Sequence, residues 1–357
     1  MGERGKLSPE DTRKYRGRRG SERLREKQTI KKNLHQSIIY EDPDGIAMRY
    51  IVTGGAGFIG SHIVEELAGS GHEIVIIDNF FSGKTENVEP FLSNKNVELV
   101  NGSITDLPFL KQVTEGADGV FHEAAIASVP RSVEKPLETH EVNSTGTLNV
   151  LIAARDSGVK SLVFASSAAV YGDDPDLPKR EEMLPGVLSP YAASKLAGEQ
   201  YCSVFSRLYG LRTVSLRYFN VYGPRQDPSS PYSGVITKFV TSVHNKKPLT
   251  IFGDGKQTRD FVFVKDVVQA NIRAMKSSAE GSFNIACGSH IDLRELAEMI
   301  MEITGVSVPV LYEPTREGDI RDSWADISRA RKILDYNPRF TMKDGLEKTI
   351  AWSAGLA

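Results

Sequence analysis

The stretch "YIVTGGAGFIG" (residues 50–60) joins a short apolar run to a turn in which Gly54, Gly57 and Gly60 are spaced three residues apart. The residues that follow, "SHIVEELAGSG", have the apolar spacing of a helix and end at a glycine. Glycine allows a tight turn and a close approach of the backbone to a pyrophosphate, whose negative charge then faces the helix N-terminus. The stretch therefore predicts a strand, a dinucleotide-binding loop and a helix.

A second apolar strand, "HEIVIID" (residues 72–78), follows this helix and ends at Asp78, 18 residues after Gly60. An acid at this place can accept hydrogen bonds from the ribose hydroxyls of a dinucleotide, and its charge repels a 2′-phosphate. The sequence therefore favours NAD over NADP as the cofactor.

Strand-like and helical stretches continue to alternate along the chain. The strands are predicted at 97–100, 119–124, 161–166 and 213–220, and the longer helices at 137–157 and 190–209. Strands that are apolar along their whole length, separated by helices, are typical of a parallel sheet covered on both faces. We predict an α/β fold with a doubly wound parallel Rossmann sheet and a smaller C-terminal α/β subdomain that binds the substrate.

The domain boundaries follow from this pattern and from charge. We predict a basic extension at 1–47, an NAD-binding domain at 48–186 completed by about 210–221 and 262–277, and an interleaved, mainly substrate-binding region at 187–357. Residues 1–32 hold twelve Lys or Arg and five Asp or Glu. They fit best a solvated, disordered extension or sequence upstream of a start at Met48, and a basic arm for RNA or membrane phosphates is the alternative.

Composition narrows the class of protein. Over the whole chain 44 Lys and Arg balance 46 Asp and Glu, which argues against a nucleic-acid-binding protein. Cys202 and Cys287 are far apart in sequence, so we predict no disulfide framework, no metal site and a reducing, cytoplasmic location. No apolar run approaches the roughly 20 residues that span a bilayer, so no membrane partner is predicted.

The stretch "SPYAASK" (residues 189–195) places Tyr191 and Lys195 four residues apart, on one face of a predicted helix. Ser167 follows the predicted strand at 161–166. Because ligands bind beyond the carboxyl ends of parallel strands, these three residues and the nucleotide should converge. Tyrosine, with an ordinary pKa of about 10, is a poor base at pH 7 unless nearby cations stabilise its phenolate. We predict that Ser167, Tyr191 and Lys195 are catalytic.

Motifs from Met48 to about Trp352 resemble those of the extended short-chain dehydrogenase/reductase family, and within it the nucleotide-sugar 4-epimerases. They read "TGGAGFIGSH", "IIDNFFSG", "HEAAIASVPRSVEKP", "EVNSTGTLNVL", "FASSAAVYG", "SPYAASK", "RYFNVYGPRQ", "TRDFVFVKD" and "REGDIRDSWAD". The resemblance implies NAD-dependent inversion of C4 of a UDP-hexose through a 4-keto sugar. It also implies a homodimer, formed by the outer faces of helices 137–157 and 190–209 as a four-helix bundle.

The resemblance further implies which residues touch each ligand. For the cofactor they are Gly54, Gly57, Phe58, Ile59, Gly60, Asp78, Asn79, Phe80, Ser82, Gly83, Ser103, Ile104, Ala124, Ala125, Ala127, Asn143, Ser167, Tyr191, Lys195 and Phe219. For the UDP-sugar they are Ser128, Ser167, Tyr191, Asn220, Val235, Arg259, Arg316, Asp319 and Ser323.

Departures from the family pattern narrow the reaction. Related dehydratases carry an Asp-Glu pair where this chain has Ala168 and Ala169, and alanine cannot exchange a proton, which argues against dehydration. Ala127 stands where many glucose/galactose epimerases have a lysine. Ser323 stands where enzymes limited to UDP-glucose have a tyrosine, and a side chain of that size would clash with an N-acetyl group. The favoured substrates are therefore UDP-N-acetylglucosamine and UDP-N-acetylgalactosamine.

Other functions remain compatible with the sequence. UDP-glucose/UDP-galactose is the second substrate pair, followed by UDP-glucuronate as substrate of a 4-epimerase or a decarboxylase. A net reductase of a UDP-sugar is a further possibility within the enzyme class. A non-catalytic NAD-binding protein that uses the basic arm is the alternative outside it, and the intact residues Ser167, Tyr191 and Lys195 argue against that interpretation. Ser323 itself has a simpler explanation in local packing beside Trp324.

Overall fold

The strands of the protein lie where apolar and β-branched residues cluster in the sequence. The structure is a computed structural model, which describes residues 47–228, 234–315 and 320–355. The strands are β1 (Arg49–Thr53), β2 (Glu73–Asp78), β3 (Val97–Asn101), β4 (Gly119–His122), β5 (Ser161–Ser167), β6 (Arg212–Tyr218), β7 (Asn220–Tyr222), β8 (Leu249–Phe252), β9 (Thr258–Arg259), β10 (Phe261–Phe263), β11 (Gly281–Ile285), β12 (Ile291–Asp292), β13 (Val310–Glu313) and β14 (Asp322–Ser323).

The helices fill the intervals between these strands. They are α1 (Phe58–Ala68), α2 (Leu107–Val113), α3 (Val129–Glu134), α4 (Pro136–His140), α5 (Gly146–Asp156), α6 (Pro190–Tyr209), α7 (Val235–His244), α8 (Val264–Lys276), α9 (Leu293–Thr304), α10 (Ser328–Leu334) and α11 (Met342–Gly355). Short 3₁₀ turns lie at Thr85–Asn87, Glu89–Phe91 and Ala168–Tyr171. In the described part of the chain, no helix combines the length and apolarity needed to cross a bilayer.

Seven strands form one sheet in the order β11-β6-β5-β4-β1-β2-β3, and all neighbours in it are parallel. The chain moves outward from β1 to β3 and then returns to place β4 on the other side of β1. This reversal is the switch point of a doubly wound sheet, where ligands bind beyond the carboxyl ends of the strands. The predicted fold class is confirmed.

The predicted strand at 213–220 is wrong at its end. β6 stops at Tyr218, and Asn220 begins β7, which pairs with β10 outside the large sheet. The backbone N–H of Phe219 donates to the Ile285 carbonyl, whereas that of Asn220 donates to Asp260, so the chain changes partner within two residues. The predicted strand at 119–124 likewise ends early, at His122, and the next two residues line a cavity.

The helix predicted at 137–157 is interrupted. Residues Glu141–Thr145 form a π-helical turn between α4 and α5. A π turn widens the helix by one residue and is frequent at functional sites. Here it contains Asn143, whose amide lies against the loop after β4.

Smaller sheets carry the C-terminal part of the chain. They pair β7 with β10, β8 with β13, and β9 with both β12 and β14. Their apolar side chains, with those of α7, α9 and α11, form a second buried cluster centred on residues such as Val243, Ile251 and Leu296. The C-terminal residues therefore have a core of their own beside the Rossmann sheet.

A buried ion pair fixes α6 against this sheet. The Glu199 carboxylate of α6 accepts from Arg217 Nε at 2.9 Å and Nη2 at 2.8 Å, and both side chains are almost completely buried. Ser166 of β5 and Ser282 of β11 donate to the same carboxylate. Three neighbouring strands are thus joined to α6 through one side chain.

We expect Glu199→Gln to lower the stability of the protein by about 3 to 5 kcal/mol, because it leaves the Arg217 charge buried without its partner. Thermal and chemical denaturation followed by circular dichroism measure this loss. Glu182→Gln is the matched control, since it breaks the exposed pair between Arg180 Nε and Glu182 Oε1, which are 3.1 Å apart. An exposed pair contributes at most about 1 kcal/mol. Equal stability of the two variants would contradict the role given to Glu199.

Candidate active site

A cavity of about 390 Å³ lies at the carboxyl ends of β1, β2, β3 and β4. Many of the residues predicted to bind cofactor line it, namely Gly54, Gly57, Phe58, Ile59, Gly60, Asp78, Asn79, Ser82, Ser103, Ile104, Ala124, Ala125 and Ala127. The structure thus brings the glycine turn, the acid of β2 and the loop after β4 together around one space.

The glycine turn has the geometry that its sequence predicts. Gly54 has a φ of +67°, and a Cβ there would lie 2.7 Å from Ala124 Cα. A Cβ on Gly60 would lie 2.3 Å from the Gly54 carbonyl oxygen, so α1 packs directly on the turn. α1 begins without a side-chain cap, and its first residues, Phe58 and Ile59, line the cavity. Backbone donors at an uncapped helix N-terminus suit a pyrophosphate.

Asp78 is held rigidly at the end of β2. Its Oδ2 accepts from the backbone N–H of Ala56 at 3.0 Å, and its Oδ1 accepts from that of Phe80 at 2.8 Å. Burial raises the pKa of the Asp78 carboxyl, and the two backbone hydrogen bonds oppose that rise. Gly83 lies against the same carboxyl group, where a Cβ would be 2.7 Å from either oxygen. A carboxylate offers about four acceptor positions, so ribose hydroxyls can still bind to it.

A chain of buried hydrogen bonds connects β1 to α6. His122 joins Thr53 Oγ1 at 2.7 Å to Thr147 Oγ1 at 2.9 Å, and Thr147 donates to the Asn143 carbonyl at 2.6 Å. Asn143 Nδ2 then donates to Ser194 Oγ at 3.1 Å. Burial lowers the pKa of His122 to about 3, so its imidazole is neutral at physiological pH. This chain sets the distance between the nucleotide loop and the helix that carries Tyr191 and Lys195.

Asn143 lies behind the cavity wall. Its Oδ1 accepts from the Ile126 N–H at 2.8 Å, and its Nδ2 donates to the Ile126 carbonyl at 3.2 Å. Asn143 does not line the cavity. Its observed contacts hold the 124–127 loop in place, and contact with cofactor stays a prediction.

Ser167, Tyr191 and Lys195 converge as predicted from their positions. Ser167 ends β5 and forms a side-chain hydrogen bond with Tyr191, which stands in the first turn of α6 after the Ser189 cap. Lys195 is buried, its Nζ donates to the Ala165 carbonyl at 2.7 Å, and it lies 5.9 Å from the centre of the Tyr191 ring. A hydroxyl, a phenol and an ammonium group therefore meet at the edge of the sheet.

The groups of the protein do not by themselves lower the pKa of Tyr191, contrary to expectation. Burial raises the pKa of Tyr191, and the hydrogen bond with Ser167 opposes that rise. Burial also lowers the pKa of Lys195 to about 8, although the Glu123 carboxyl opposes this effect. Desolvation is the larger of the two effects on the Tyr191 pKa, and the Lys195 ammonium is directed toward the Ala165 carbonyl.

Three predicted substrate residues are brought together by one short strand. Arg259 of β9 is paired with Ser323 of β14, and the backbone of Asp260, the next residue, bonds to Asn220. Arg259 Nη1 donates to the carbonyls of Thr258 at 2.8 Å and Arg321 at 2.9 Å. The neighbouring Asp260 carboxyl is instead surrounded by backbone N–H donors and its pKa is raised to about 7 by burial.

The other predicted residues occupy distinct places. Ser128 caps α3, accepting from the Arg131 N–H at 3.2 Å, and Val235 begins α7 against the second core. Phe219 is buried beside Tyr171, with ring centres 6.3 Å apart, and Phe80 follows Asp78 with a φ of +57°. Arg316 and Asp319 lie outside the described residues.

Glu123 is a residue of the site whose contacts the sequence alone does not predict. Its carboxyl lines the cavity and accepts from the Tyr218 hydroxyl at 2.8 Å. The available signal was its position: an acid directly after an apolar strand, at the edge of the sheet where ligands bind.

Comparison with known proteins agrees with this geometry. Residues 50–286 match the NAD dependent epimerase/dehydratase family. The chain belongs to this family. A UDP-glucose 4-epimerase of Mycolicibacterium smegmatis is 40% identical over 306 residues, covering 85% of this chain and 97% of that protein.

Two solved structures extend the likeness to three dimensions. A UDP-N-acetylglucosamine 4-epimerase from Methanobrevibacter ruminantium, in complex with UDP-N-acetylmuramic acid, has a TM-score of 0.85 and 39% identity over 87% of this chain and 99% of its own. A UDP-glucose 4-epimerase from Thermus thermophilus, in complex with NAD, has a TM-score of 0.79 and 40% identity over 87% of this chain and all of its own.

The cofactor of this epimerase/dehydratase family member is NAD, as predicted. The cavity fits the dinucleotide in three respects: an uncapped helix start, glycines that admit its backbone, and a rigid carboxylate with acceptor positions to spare. The residues that would hold it are those that line the cavity around Gly54, Asp78 and Ala124.

We expect Asp78→Asn to weaken NAD binding by about tenfold or more. An amide has one acceptor oxygen, which the two backbone N–H groups already need, so the ribose hydroxyls lose their acceptors at a cost of about 1 to 3 kcal/mol. Calorimetry of NAD binding and the NAD content of the purified protein measure the effect. Asp106→Asn is the matched control, because Asp106 caps α2 outside the cavity and asparagine caps equally well. Unchanged NAD binding by Asp78→Asn would contradict the role of this carboxylate.

Proposed function

We propose that the protein is an NAD-dependent UDP-sugar 4-epimerase that interconverts UDP-N-acetylglucosamine and UDP-N-acetylgalactosamine. The observation that carries this proposal is the convergence of Ser167, Tyr191 and Lys195 at the sheet edge where the strands that border the dinucleotide cavity also end. Kinship with 4-epimerases of UDP-sugars supports the class of reaction. The identity of the hexose rests on Ser323 and Ala127.

Tyr191 acts as the proton acceptor for the sugar hydroxyl at C4. The phenolate takes the hydroxyl proton while the C4–H bond breaks, and it returns the proton when a C4–H bond forms again on the opposite face of the 4-keto sugar. Ser167, already hydrogen-bonded to Tyr191, shares the bond to the reacting oxygen. When bound, NAD supplies the hydride acceptor and donor, so that the cofactor is unchanged over one cycle.

Lys195 supplies the positive charge that this tyrosine needs. Burial favours the neutral phenol and raises the pKa of Tyr191. Lowering the pKa of a tyrosine from its ordinary value of about 10 toward 7 needs roughly 4 kcal/mol of stabilisation of the phenolate, in addition to what offsets burial. Lys195 lies on the same helix face, one turn away, and provides part of it. Burial of both groups strengthens their attraction because water screens it less.

Arg259 and Ser323 have different tasks in the proposed substrate site: Arg259 binds the diphosphate, and Ser323 selects the sugar. A guanidinium group can bind a diphosphate through paired hydrogen bonds, and Arg259 stands on the strand beside Ser323. Ser323 is half-buried and presents a small side chain at this place. The N-acetyl group of the substrate has room there that a tyrosine would remove.

The test is purified protein incubated with several UDP-sugars and read by NMR for inversion at C4, without added cofactor. We expect UDP-N-acetylglucosamine to be converted, with UDP-glucose second. Release of CO₂ from UDP-glucuronate or a steady consumption of NADH would assign a decarboxylase or a reductase instead. Absence of inversion with every UDP-sugar would overturn the proposal.

The substrate assignment predicts the behaviour of a single variant. Ser323→Tyr should lower turnover of UDP-N-acetylglucosamine by roughly 100-fold and spare that of UDP-glucose. Ser323→Ala is the control, because it removes the hydroxyl without adding bulk and should keep both activities. If both substrates respond alike to Ser323→Tyr, Ser323 does not select between them.

The proposal includes a homodimer. Tyr201, Val204 and Leu208 recur along one stripe of α6 and are well exposed, and Leu137 on α4 is 84% exposed. A contiguous apolar stripe of this kind marks a protein contact. We propose that this stripe binds the same stripe of a second copy of the chain, in a symmetric contact between helix pairs.

We expect Leu208→Glu to convert the dimer to a monomer, because it puts a charge in the apolar contact. Sedimentation velocity measures the change. Leu311→Glu serves as control, since Leu311 is also an exposed leucine but lies on β13, outside the stripe. A wild-type protein that sediments as a monomer would refute the dimer.

We also place the protein in the cytoplasm. Cys202 is buried and Cys287 half-buried, and both are free thiols. Unpaired cysteines are the rule in a reducing compartment, which supports this location.

A further inference from the structure

Glu123 is an ionisable group inside the cavity to which the proposed reaction gives no task. It follows β4 and lines the cavity beside Gly54 and Ala124. Its backbone N–H donates to the Thr53 carbonyl at 3.1 Å, which fixes the residue beside the glycine turn. A carboxyl group at this position must either be paired or carry a charge that affects its neighbours.

The direction of the hydrogen bonds around Glu123 is determined by Asn271 of α8. Asn271 Nδ2 donates to the Val267 carbonyl at 2.9 Å and to the Tyr218 hydroxyl oxygen at 2.8 Å. The bond to a carbonyl requires the nitrogen at this place, so the amide orientation is fixed. The Tyr218 hydroxyl accepts from Asn271 and must donate its own proton to Glu123 Oε1. The carboxyl oxygen that receives it is therefore an acceptor.

This bond crosses the strand that carries the catalytic serine. β4 and β6 lie on either side of β5, and Ser167 of β5 is paired with Tyr218 of β6. His122 of β4 is paired with Phe164 of β5, so Glu123 stands one residue further along, beside Ala165, whose carbonyl accepts from Lys195 Nζ. The bond from Tyr218 to Glu123 consequently spans the end of β5, close to Lys195. Glu123 follows β4 and is hydrogen-bonded to β6, so it connects the two strands that flank β5.

We propose that Glu123 is a positioning residue of the reaction centre, whose carboxylate holds Lys195 in its charged form and, through Tyr218, fastens the cavity wall to β6. The inference takes Lys195 to have the part assigned to it in the proposed function. Glu123 acts on Lys195 through its charge and touches neither reacting atom in this role.

The charges around the two groups support this assignment. Burial raises the pKa of Glu123 to about 7, while Tyr218 and Lys195 oppose the rise. Burial lowers the pKa of Lys195 to about 8, and Glu123 opposes the fall. The other titratable neighbours are neutral near pH 7: burial lowers the pKa of His122 to about 3 and raises that of Tyr191. Glu123 is ionised as the pH rises above 7, the range in which Lys195 titrates, and its carboxylate is then the anion that stabilises the Lys195 ammonium.

The direct test is the titration of Lys195 in Glu123→Gln. The variant keeps the size of the side chain and an acceptor oxygen for Tyr218, but loses the negative charge. Because an anion raises the pKa of a nearby ammonium, its removal should lower the Lys195 titration midpoint by up to about one pH unit. The measurement is the ¹³Cε chemical shift of Lys195 in lysine-labelled full-length protein with its bound cofactor, assigned with Lys195→Arg.

Two further variants separate charge from general disturbance. Tyr218→Phe removes the donor to Glu123, so the carboxyl is protonated more readily and Lys195 should move in the same direction by a smaller amount. Glu115→Gln makes the same chemical change on an exposed carboxylate and should leave Lys195 unchanged. If Glu123→Gln does not fold, Tyr218→Phe alone decides, and a Lys195 midpoint equal to that of the wild type overturns the inference.

Activity gives a second measurement. The high-pH limb of the kcat/KM profile should shift downward in Glu123→Gln by the same interval as the Lys195 titration. A uniform loss of rate with an unshifted profile would show a merely structural role and overturn the inference. Failure of the proposed function would appear differently, as no C4 inversion by the wild type, and would leave the Lys195 titration as a valid test.

Discussion

The buried pair of Glu199 and Arg217 is the interaction on which the arrangement of the site depends. It joins α6 to β5, β6 and β11 at a point one helical turn beyond Lys195. An ion pair in a water-free environment is sensitive to geometry, so it tolerates one orientation of the helix and disfavours others. The orientation of Tyr191 and Lys195 toward the sheet edge is a consequence, because both side chains belong to the same rigid helix.

The parallel sheet is the second feature on which the arrangement of the site depends. All neighbouring strands run in one direction, so their carboxyl ends deliver Gly54, Asp78, Glu123 and Ser167 to the same edge although these residues are up to 113 positions apart. Backbone donors fix the acid of β2, whereas hydrogen bonds through His122 and Asn143 fix the loop after β4. Binding of the dinucleotide and the chemistry at the sugar therefore use groups held by separate networks on one scaffold.

The fold and much of this site could be predicted from the sequence because they depend on local pattern. The glycine spacing specifies the turn, the apolar runs specify the strands, and the spacing of Tyr191 and Lys195 specifies a shared helix face. The end of β6 at Tyr218 could not be predicted, since its cause is a change of partner from Ile285 to Asp260, both distant in sequence. The raised pKa of Tyr191 and the contacts of Glu123 likewise depend on burial and on residues far along the chain.

The π-helical turn at Glu141–Thr145 has a consequence for how the chain can vary in length. A π turn holds one residue more than an α turn, so deleting one residue here would restore α geometry and leave the helix on either side in its present direction. The deletion would displace Asn143 and remove its two bonds to Ile126. The additional residue therefore serves the loop after β4 and not the helix itself.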